Sequence, residues 1–382
     1  MKIAMILDNP LNPDNRVEKE AESLAKAGHE VTILCKIAND LPLEEIRNGY
    51  KVKRVFRYNL GTSVLVEKYL LAHFDLMNSV NEKYDVYHCH DTETWPIGYI
   101  LSQTDNAKFI CDSHEYFPDY IIKKNYNDEN KYKASKVLID IRGNYIKYAD
   151  AVITVTDTIA EKLYYEYKLN EKPTALYNTK PFKNRVNKKV NLLREEFGIE
   201  KNKHIIFFQG NIDYSRGLEY IIESLKYIES DALFMFAGNC SEEYLRELTD
   251  FAKKYNVEEK IKYLGFLDNG KLLEYTASAD ILVYYPRDMV QNMKYTIPNK
   301  FFDYVFASKP IIVRDFDVYK EFINKYDFGF TCANLNDIAE KIDLLLKDKN
   351  LYIKKVNNSI GSQVDLSWEK QEEKLVELYS KL

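Results

Sequence analysis

Short apolar runs rich in Ile, Val and Phe alternate with segments of helical period, and the whole alternation occurs twice. In the first half the runs are 2–7, 30–35, 51–56, 85–88, 108–112 and 151–156. In the second they are 204–209, 232–237, 261–264, 280–284 and 310–314, with amphipathic stretches such as 16–27 and 217–229 between runs. A strand apolar on both faces must be covered on both faces, and parallel neighbours need a helical crossover. The pattern predicts an α/β protein of two doubly wound, Rossmann-like domains. Such sheets bind ligands beyond the carboxyl ends of their strands, where the strand order reverses. Two of them facing each other leave a central cleft, a usual place for a ligand.

At 382 residues the chain has room for two full cores. Residues 180–190 carry five basic side chains, no acid and Pro181, and read as a linker. The expected division is 1–180, 181–365 and a terminal segment 366–382. In that segment Trp368, Leu375, Leu378, Tyr379 and Leu382 suit one helical face, which predicts an amphipathic helix packed on a domain. The apolar fraction of 46% and charged fraction of 30% exclude a disordered chain or a fibre. A net charge of −5 gives no general affinity for nucleic acid. Five scattered cysteines without a CxxC read as reduced thiols of a cytoplasmic protein. The opening apolar run stops at Asp8, too short for a signal-peptide core, and no run approaches the ~18 apolar residues of a spanning helix.

Two segments of the second half carry the strongest local signals. In Gly210-Asn211-Ile212-Asp213-Tyr214-Ser215-Arg216-Gly217, a strand ends, a loop turns and a helix begins. Gly210 would let backbone approach a ligand, and the planar fork of Arg216 suits a phosphate. On spacing alone, a tight turn with a solvated Arg fits equally well. In Ile297-Pro298-Asn299-Lys300-Phe301-Phe302-Asp303, Pro298 and Asn299 suit a helix start whose N–H groups favour an anion such as a diphosphate. Asp303, four residues past Asn299 on the same face, could accept hydrogen bonds from the vicinal hydroxyls of a ribose, or simply be an exposed helical acid.

The first half places His88-Cys89-His90-Asp91 and Asp112-Ser113-His114-Glu115 at consecutive strand ends. The histidines suggest a metal, but the spacing offers no convincing third ligand, so no metal is expected. Asp315-x-Asp317 reads as a pair of solvated loop acids. The opening loop 8–16 has turn chemistry but no Gly-x-Gly-x-x-Gly, which counts against a nicotinamide or flavin enzyme. P-loop and Gly-x-Ser-x-Gly signatures are also missing.

Taken together, these segments resemble a GT-B glycosyltransferase of family 4, a retaining, nucleotide-sugar-dependent class. The similar pieces are Asp14-x-Arg16-Val17 with Ala27-Gly28-His29-Glu30-Val31, the two His-containing strand ends, 149–156, Tyr177-Asn178, the two second-half segments, and Ser367-Trp368-Glu369. Their order over nearly the whole chain makes the set specific. The resemblance implies that residues 1–180 bind the acceptor, 181–365 bind the donor, and the terminal helix crosses back to the first domain. It implies that Gly210, Asn211, Arg216, Pro298, Asn299, Lys300 and Asp303 surround the donor, with Arg216 on the diphosphate and Asp303 on the ribose. It implies that His114 meets the transferred sugar, and that Asp14, Arg16, His90, Asp91 and Glu115 lie on the acceptor side. Two positions depart from the family: Asn211 stands where Arg is frequent, and Tyr295 where the first of two paired acids is usual.

The expectation is a retaining transferase without cofactor or metal, acting on a glycan or lipid-linked acceptor in surface polysaccharide or glycolipid biosynthesis. The lysines of 121–136, with the linker, could face anionic lipid on the inner face of a membrane, or form a solvated basic surface. Two other readings stay open: a nucleotide-sugar epimerase of the same shape, and a non-catalytic partner subunit that keeps the fold.

Overall fold

The computed structural model describes residues 1–58, 60, 66–120, 129–186, 188 and 190–382. Residues 121–128 of the basic stretch 121–136, and Asn187 and Lys189 of the linker, lie outside the described residues. The chain divides into two compact units: Met1–Tyr177 with Val290–Asn292 and Gln371–Leu382, and Asn178–Met289 with Met293–Lys370.

Among the described residues, the first unit is built on eight strands: β1 (Lys2–Leu7), β2 (Glu30–Lys36), β3 (Glu44–Arg47), β4 (Tyr50–Phe56), β5 (Val86–His90), β6 (Lys108–Ser113), β7 (Ala151–Thr154) and β8 (Thr174–Ala175). Their order is β3-β4-β2-β1-β5-β6-β7-β8, parallel except for the β3–β4 hairpin. Among the described residues, the second unit has six strands, β9 (His204–Gln209), β10 (Ala232–Ala237), β11 (Ile261–Tyr263), β12 (Ile281–Tyr284), β13 (Ile311–Arg314) and β14 (Gly329–Cys332). Their order is β11-β10-β9-β12-β13-β14, and every pairing is parallel. Leaving aside the hairpin strand β3 and the edge strand β8, both sheets follow the same doubly wound order. The order reverses between β1 and β5 in one, and between β9 and β12 in the other.

Three strands escape the sequence pattern, and each is an edge. β3 carries Glu44, Glu45 and Arg47 and is half-solvated. β8 is two residues long. β14 opens on Gly329, whose Cβ would fall 2.1 Å from the Ile311 carbonyl of β13. Edge strands need no continuous apolar run, because one side or face meets water.

The terminal helix, Trp368–Ser380, changes unit along its length. Leu375 and Tyr379 join Ile3, Met5, Val17 and Ile33 in the core of the first unit, with Leu378 and Leu382 packed against it. Among the described residues no helix is long and apolar enough to cross a membrane.

Candidate functional site

In the second unit, the loop after β9 is shaped by two glycines. Gly210 has φ +122°, and a Cβ there would lie 2.6 Å from the Lys300 amine. Gly217 has φ +66°, and its Cβ would fall 2.4 Å from the Tyr285 carbonyl oxygen. Only glycine fits either position without movement. Between them Asp213 accepts from the Ser215 N–H at 2.8 Å and from Asn211 Nδ2 at 3.0 Å. Asn211, standing where a cation was expected, therefore braces the loop. Arg287 holds the loop from outside: its N–H donates to Ser215 O and its Nε to Tyr214 O, both at 3.0 Å.

Arg216 closes the short 3₁₀ turn Tyr214–Arg216. It donates to the Tyr284 hydroxyl on β12 at 3.3 Å, and its Nε lies 3.6 Å from Asp213. The helix Asn299–Phe306 begins after Pro298, and no side chain caps it. Lys300 turns back so that its amine sits 4.1 Å over the Phe208 ring, with no hydrogen-bond partner. Burial, with Arg216 nearby, pushes that amine well below the usual lysine range. Asp303 receives Lys180 at 3.0 Å on one oxygen and Gln209 Nε2 at 3.0 Å on the other. A pocket of ≈ 400 Å³ opens beside it, lined also by Lys180, Arg185, Asn269 and Leu272. Tyr295 ends the short helix Gln291–Tyr295 and is half-buried.

The first unit gathers its polar residues at the carboxyl ends of β5 and β6. Arg16, in the helix Asn15–Lys26, is 3% exposed. Its fork donates to Asp112 at 2.9 Å and to the Leu176 carbonyl at 2.8 Å, and it lies 3.1 Å from Glu20. Arg16 and His90, which the resemblance puts on the acceptor side, are both buried. His90 Nδ1 stands 3.3 Å from Asp112 and 3.1 Å from His114 Nε2. His88 Nδ1 stands 2.9 Å from the Tyr379 hydroxyl. Asp91 adopts φ +61° and accepts from the His114 N–H at 3.1 Å. Asp14 caps the helix at Val17, and Glu115 accepts from Asn292 Nδ2 at 2.7 Å.

Electrostatics sorts this cluster. Burial alone would raise Asp112, but Arg16 and His114 hold its carboxyl well below the usual range. Burial pushes Glu20 up to about 8 in spite of Arg16. Burial, with His88 alongside, pushes His90 down to about 3. Burial also opposes a charge on His114, yet Asp91 and Asp112 outweigh it and raise the imidazole to about 9. At neutral pH His114 is thus a cation with donors at both nitrogens, and its side chain is 18% exposed. The third and fourth ligands that the His88/His90 spacing did not offer are supplied by the fold: Glu20, His88, His90 and Asp112 bring ligand atoms within 4.8 Å of one another. Arg16 already contacts both carboxyls there, so the ionised Asp112 has a cation of its own.

Sequence reasoning quoted Asp112 and His88 without roles and did not single out Glu20, Lys180, Gln209 or Tyr284. Glu20 had one local signal, its i+4 spacing from Arg16. The others meet their partners only through the fold. Asp315 and Asp317 share Lys320 as solvated acids.

Residues 15–179 match the family model of Glycosyltransferase Family 4, and residues 189–362 that of Glycosyl transferases group 1. An uncharacterized glycosyltransferase of Methanocaldococcus jannaschii is 25% identical, over 94% of this chain and 91% of its own length. Among solved structures, sucrose-phosphate synthase of Thermosynechococcus elongatus aligns with a TM-score of 0.78 at 16% identity, over 100% of this chain and 98% of that one. HepE of Anabaena, solved in complex with UDP, aligns over the full length of both chains with a TM-score of 0.75 at 14% identity. Both halves of the chain, in order, thus match glycosyltransferase models, and both sheets have the strand order of that architecture: the chain is a GT-B glycosyltransferase of the family 4 type.

Proposed function

We propose that this glycosyltransferase moves a sugar, with retention, from a nucleoside diphosphate-sugar to a glycan or lipid-linked acceptor in surface polysaccharide or glycolipid biosynthesis. The observation that carries the reading is the pair Arg216 and Lys300 at the strand-order switch of the second sheet. Both are cations by nature, and neither Arg216 Nε nor Lys300 Nζ has a hydrogen-bond partner. Such groups stabilise the charge that grows on a departing diphosphate. Asp303 uses two of its roughly four lone-pair sites on Lys180 and Gln209, which leaves two for vicinal ribose hydroxyls. The adjoining pocket is of nucleoside size. HepE, which shares the fold, was solved with UDP.

In this reading the donor's phosphate oxygen, once freed, takes the acceptor proton on the face it leaves. His114 donates a hydrogen bond to the transferred sugar, and Arg16 and Asp112 hold it in place. Asp14, Asp91 and Glu115 lie toward the acceptor. No cofactor or metal takes part. The transfer is read as hexosyl-like, and Tyr295, where an acid is usual, leaves an unusual donor sugar or a weakened site as the alternatives. Peripheral contact with anionic lipid belongs to the same reading. It is supported by Val137 and Ile141, each 56% exposed on the helix Glu129–Gly143, and Phe74, 62% exposed on Val66–Ser79. Flotation with anionic vesicles tests it, and no binding even to acidic lipid removes it.

The main test is a thermal-shift and slow-hydrolysis panel of UDP-, GDP-, ADP- and CMP-sugars. A shift with one nucleotide series, lost in Arg216→Ala and Asp303→Ala, is the expected result. No shift with any of them makes the non-catalytic partner the better reading. Conversion of a donor without acceptor into an isomer identifies an epimerase instead.

A further inference from the structure

Among the described residues, elements of the second unit wall in the Lys300 amine. The Phe208 ring, on β9, lies 4.1 Å away, and that of Tyr284, on β12, lies 5.1 Å away. The two rings are nearly parallel, 13° apart, with centroids separated by 6.5 Å. The Gly210 backbone lies so close that a Cβ at that position would fall 2.6 Å from Nζ and 3.0 Å from Cε. The amine is therefore pressed against the loop that ends in Arg216.

The charged and titratable groups around it do not neutralise it. From the loop come Arg216, which repels an ammonium, and Asp213, which attracts it but already faces Arg216, Asn211 and Ser215. From its own helix comes Asp303, which is paired with Lys180. From β12 comes the Tyr284 phenol, which receives the Arg216 hydrogen bond. The helix Asp317–Tyr326 adds Tyr319, whose phenol is held un-ionised by burial. An ammonium here would have aromatic faces for company but no anion of its own. No described residue supplies the group that would hold it charged, and Asn211 contributes no charge to the same loop.

We propose that the Lys300 amine is uncharged in the empty donor site and takes one proton from solvent as a nucleoside diphosphate-sugar seats its diphosphate beside Gly210 and Arg216. The inference rests on the donor-site reading given under Proposed function. The chemistry is a protonation, R–NH2 + H⁺ → R–NH3⁺, and no bond of the donor changes. The arriving diphosphate supplies the counter-charge that the folded chain leaves out, so charging the amine and binding the donor become one event.

Calorimetry of the full chain with UDP-glucose, run at one pH in phosphate, HEPES and Tris, tests this. The slope of binding enthalpy against buffer ionisation enthalpy counts the protons taken up. UDP-glucose is a diphosphate diester and does not itself titrate near neutrality, so its own protonation does not enter. GDP-mannose and ADP-glucose are run in the same way. The expected slope is close to one proton per donor, with affinity falling up to tenfold per pH unit above the pKa of the free amine. In Lys300→Met the slope falls to zero while residual binding persists, and Lys300→Arg, permanently charged, binds without uptake. Binding with zero slope in the unaltered chain overturns the proposal and leaves the donor site standing. A slope that survives in Lys300→Met overturns it by sending the proton elsewhere. Failure of all three donors to bind removes the donor reading, and the inference with it.

Discussion

The switch points of the two sheets handle charge in opposite ways. At the first, between β1 and β5, charges face counter-charges: Arg16 lies against Asp112, and His114 lies between Asp91 and Asp112. At the second, between β9 and β12, Arg216 and Lys300 are set side by side, with their nearest carboxylates turned partly to other partners. Both arrangements cost desolvation. The first recovers that cost within the folded chain, so it acts as a rigid support. The second leaves Arg216 poorly compensated and Lys300 without a counter-ion until an anion arrives, so it acts as a receptor. Two sheets of the same strand order thus differ in what their carboxyl ends are prepared for.

The sharpest way to break this comparison is to unbalance the first cluster. Asp112→Ala leaves Arg16 buried without its main partner, and urea unfolding should show a loss of about 3–5 kcal/mol. Arg216→Ala should change stability by less than about 1 kcal/mol, because it removes a charge that was poorly compensated. Its effect falls instead on donor turnover, which should drop about 10²–10³-fold in a hydrolysis or transfer assay. If Arg216→Ala unfolds the chain, or Asp112→Ala leaves it as stable as before, the contrast is wrong.

The pH dependence of stability sharpens the same point. His114 is raised in the fold to about 9 from 6.5. Its contribution is fully present below 6.5 and is lost as pH rises through about 9. Thermal unfolding between those limits should show a decline of about 3 kcal/mol that His114→Gln abolishes. The smallest effect is expected at Asp303. Asp303→Asn keeps the shape but loses the charge, and donor Kd should rise about tenfold with little change in kcat. A large fall in kcat with unchanged Kd would instead put Asp303 in the chemistry.

Much of this was legible in the chain itself, for a physical reason. Central parallel strands are buried on both faces, so β1, β2, β5, β9 and β10 print as unbroken apolar runs. The loop 210–217 announces itself through two glycines that the backbone cannot replace. Strand order does not print, because it is decided by which runs pair. The charge balance at the two switch points was also hidden. His88 meets Tyr379 across 291 positions, and Arg16 meets Asp112 across 96. The resemblance puts Lys300 beside the donor, but that its amine is shut in shows only once Phe208, Gly210 and Tyr284 are brought around it. Asn211 looked like a lost cation, and the fold shows it bracing Asp213.

The helix that carries Leu375 and Tyr379 sets a timetable for synthesis. The first unit's core holds positions on both sides of the long stretch Asn178–Lys370, nearly all of which belongs to the other unit. At roughly 5–20 residues per second, a ribosome takes on the order of 10–40 s to travel that distance. During that interval the apolar groove awaiting Leu375 and Tyr379 is open, and the His88 imidazole faces it without its phenol. The nascent chain must therefore be shielded or kept dilute until the helix emerges, although the sheet beneath the groove was translated long before.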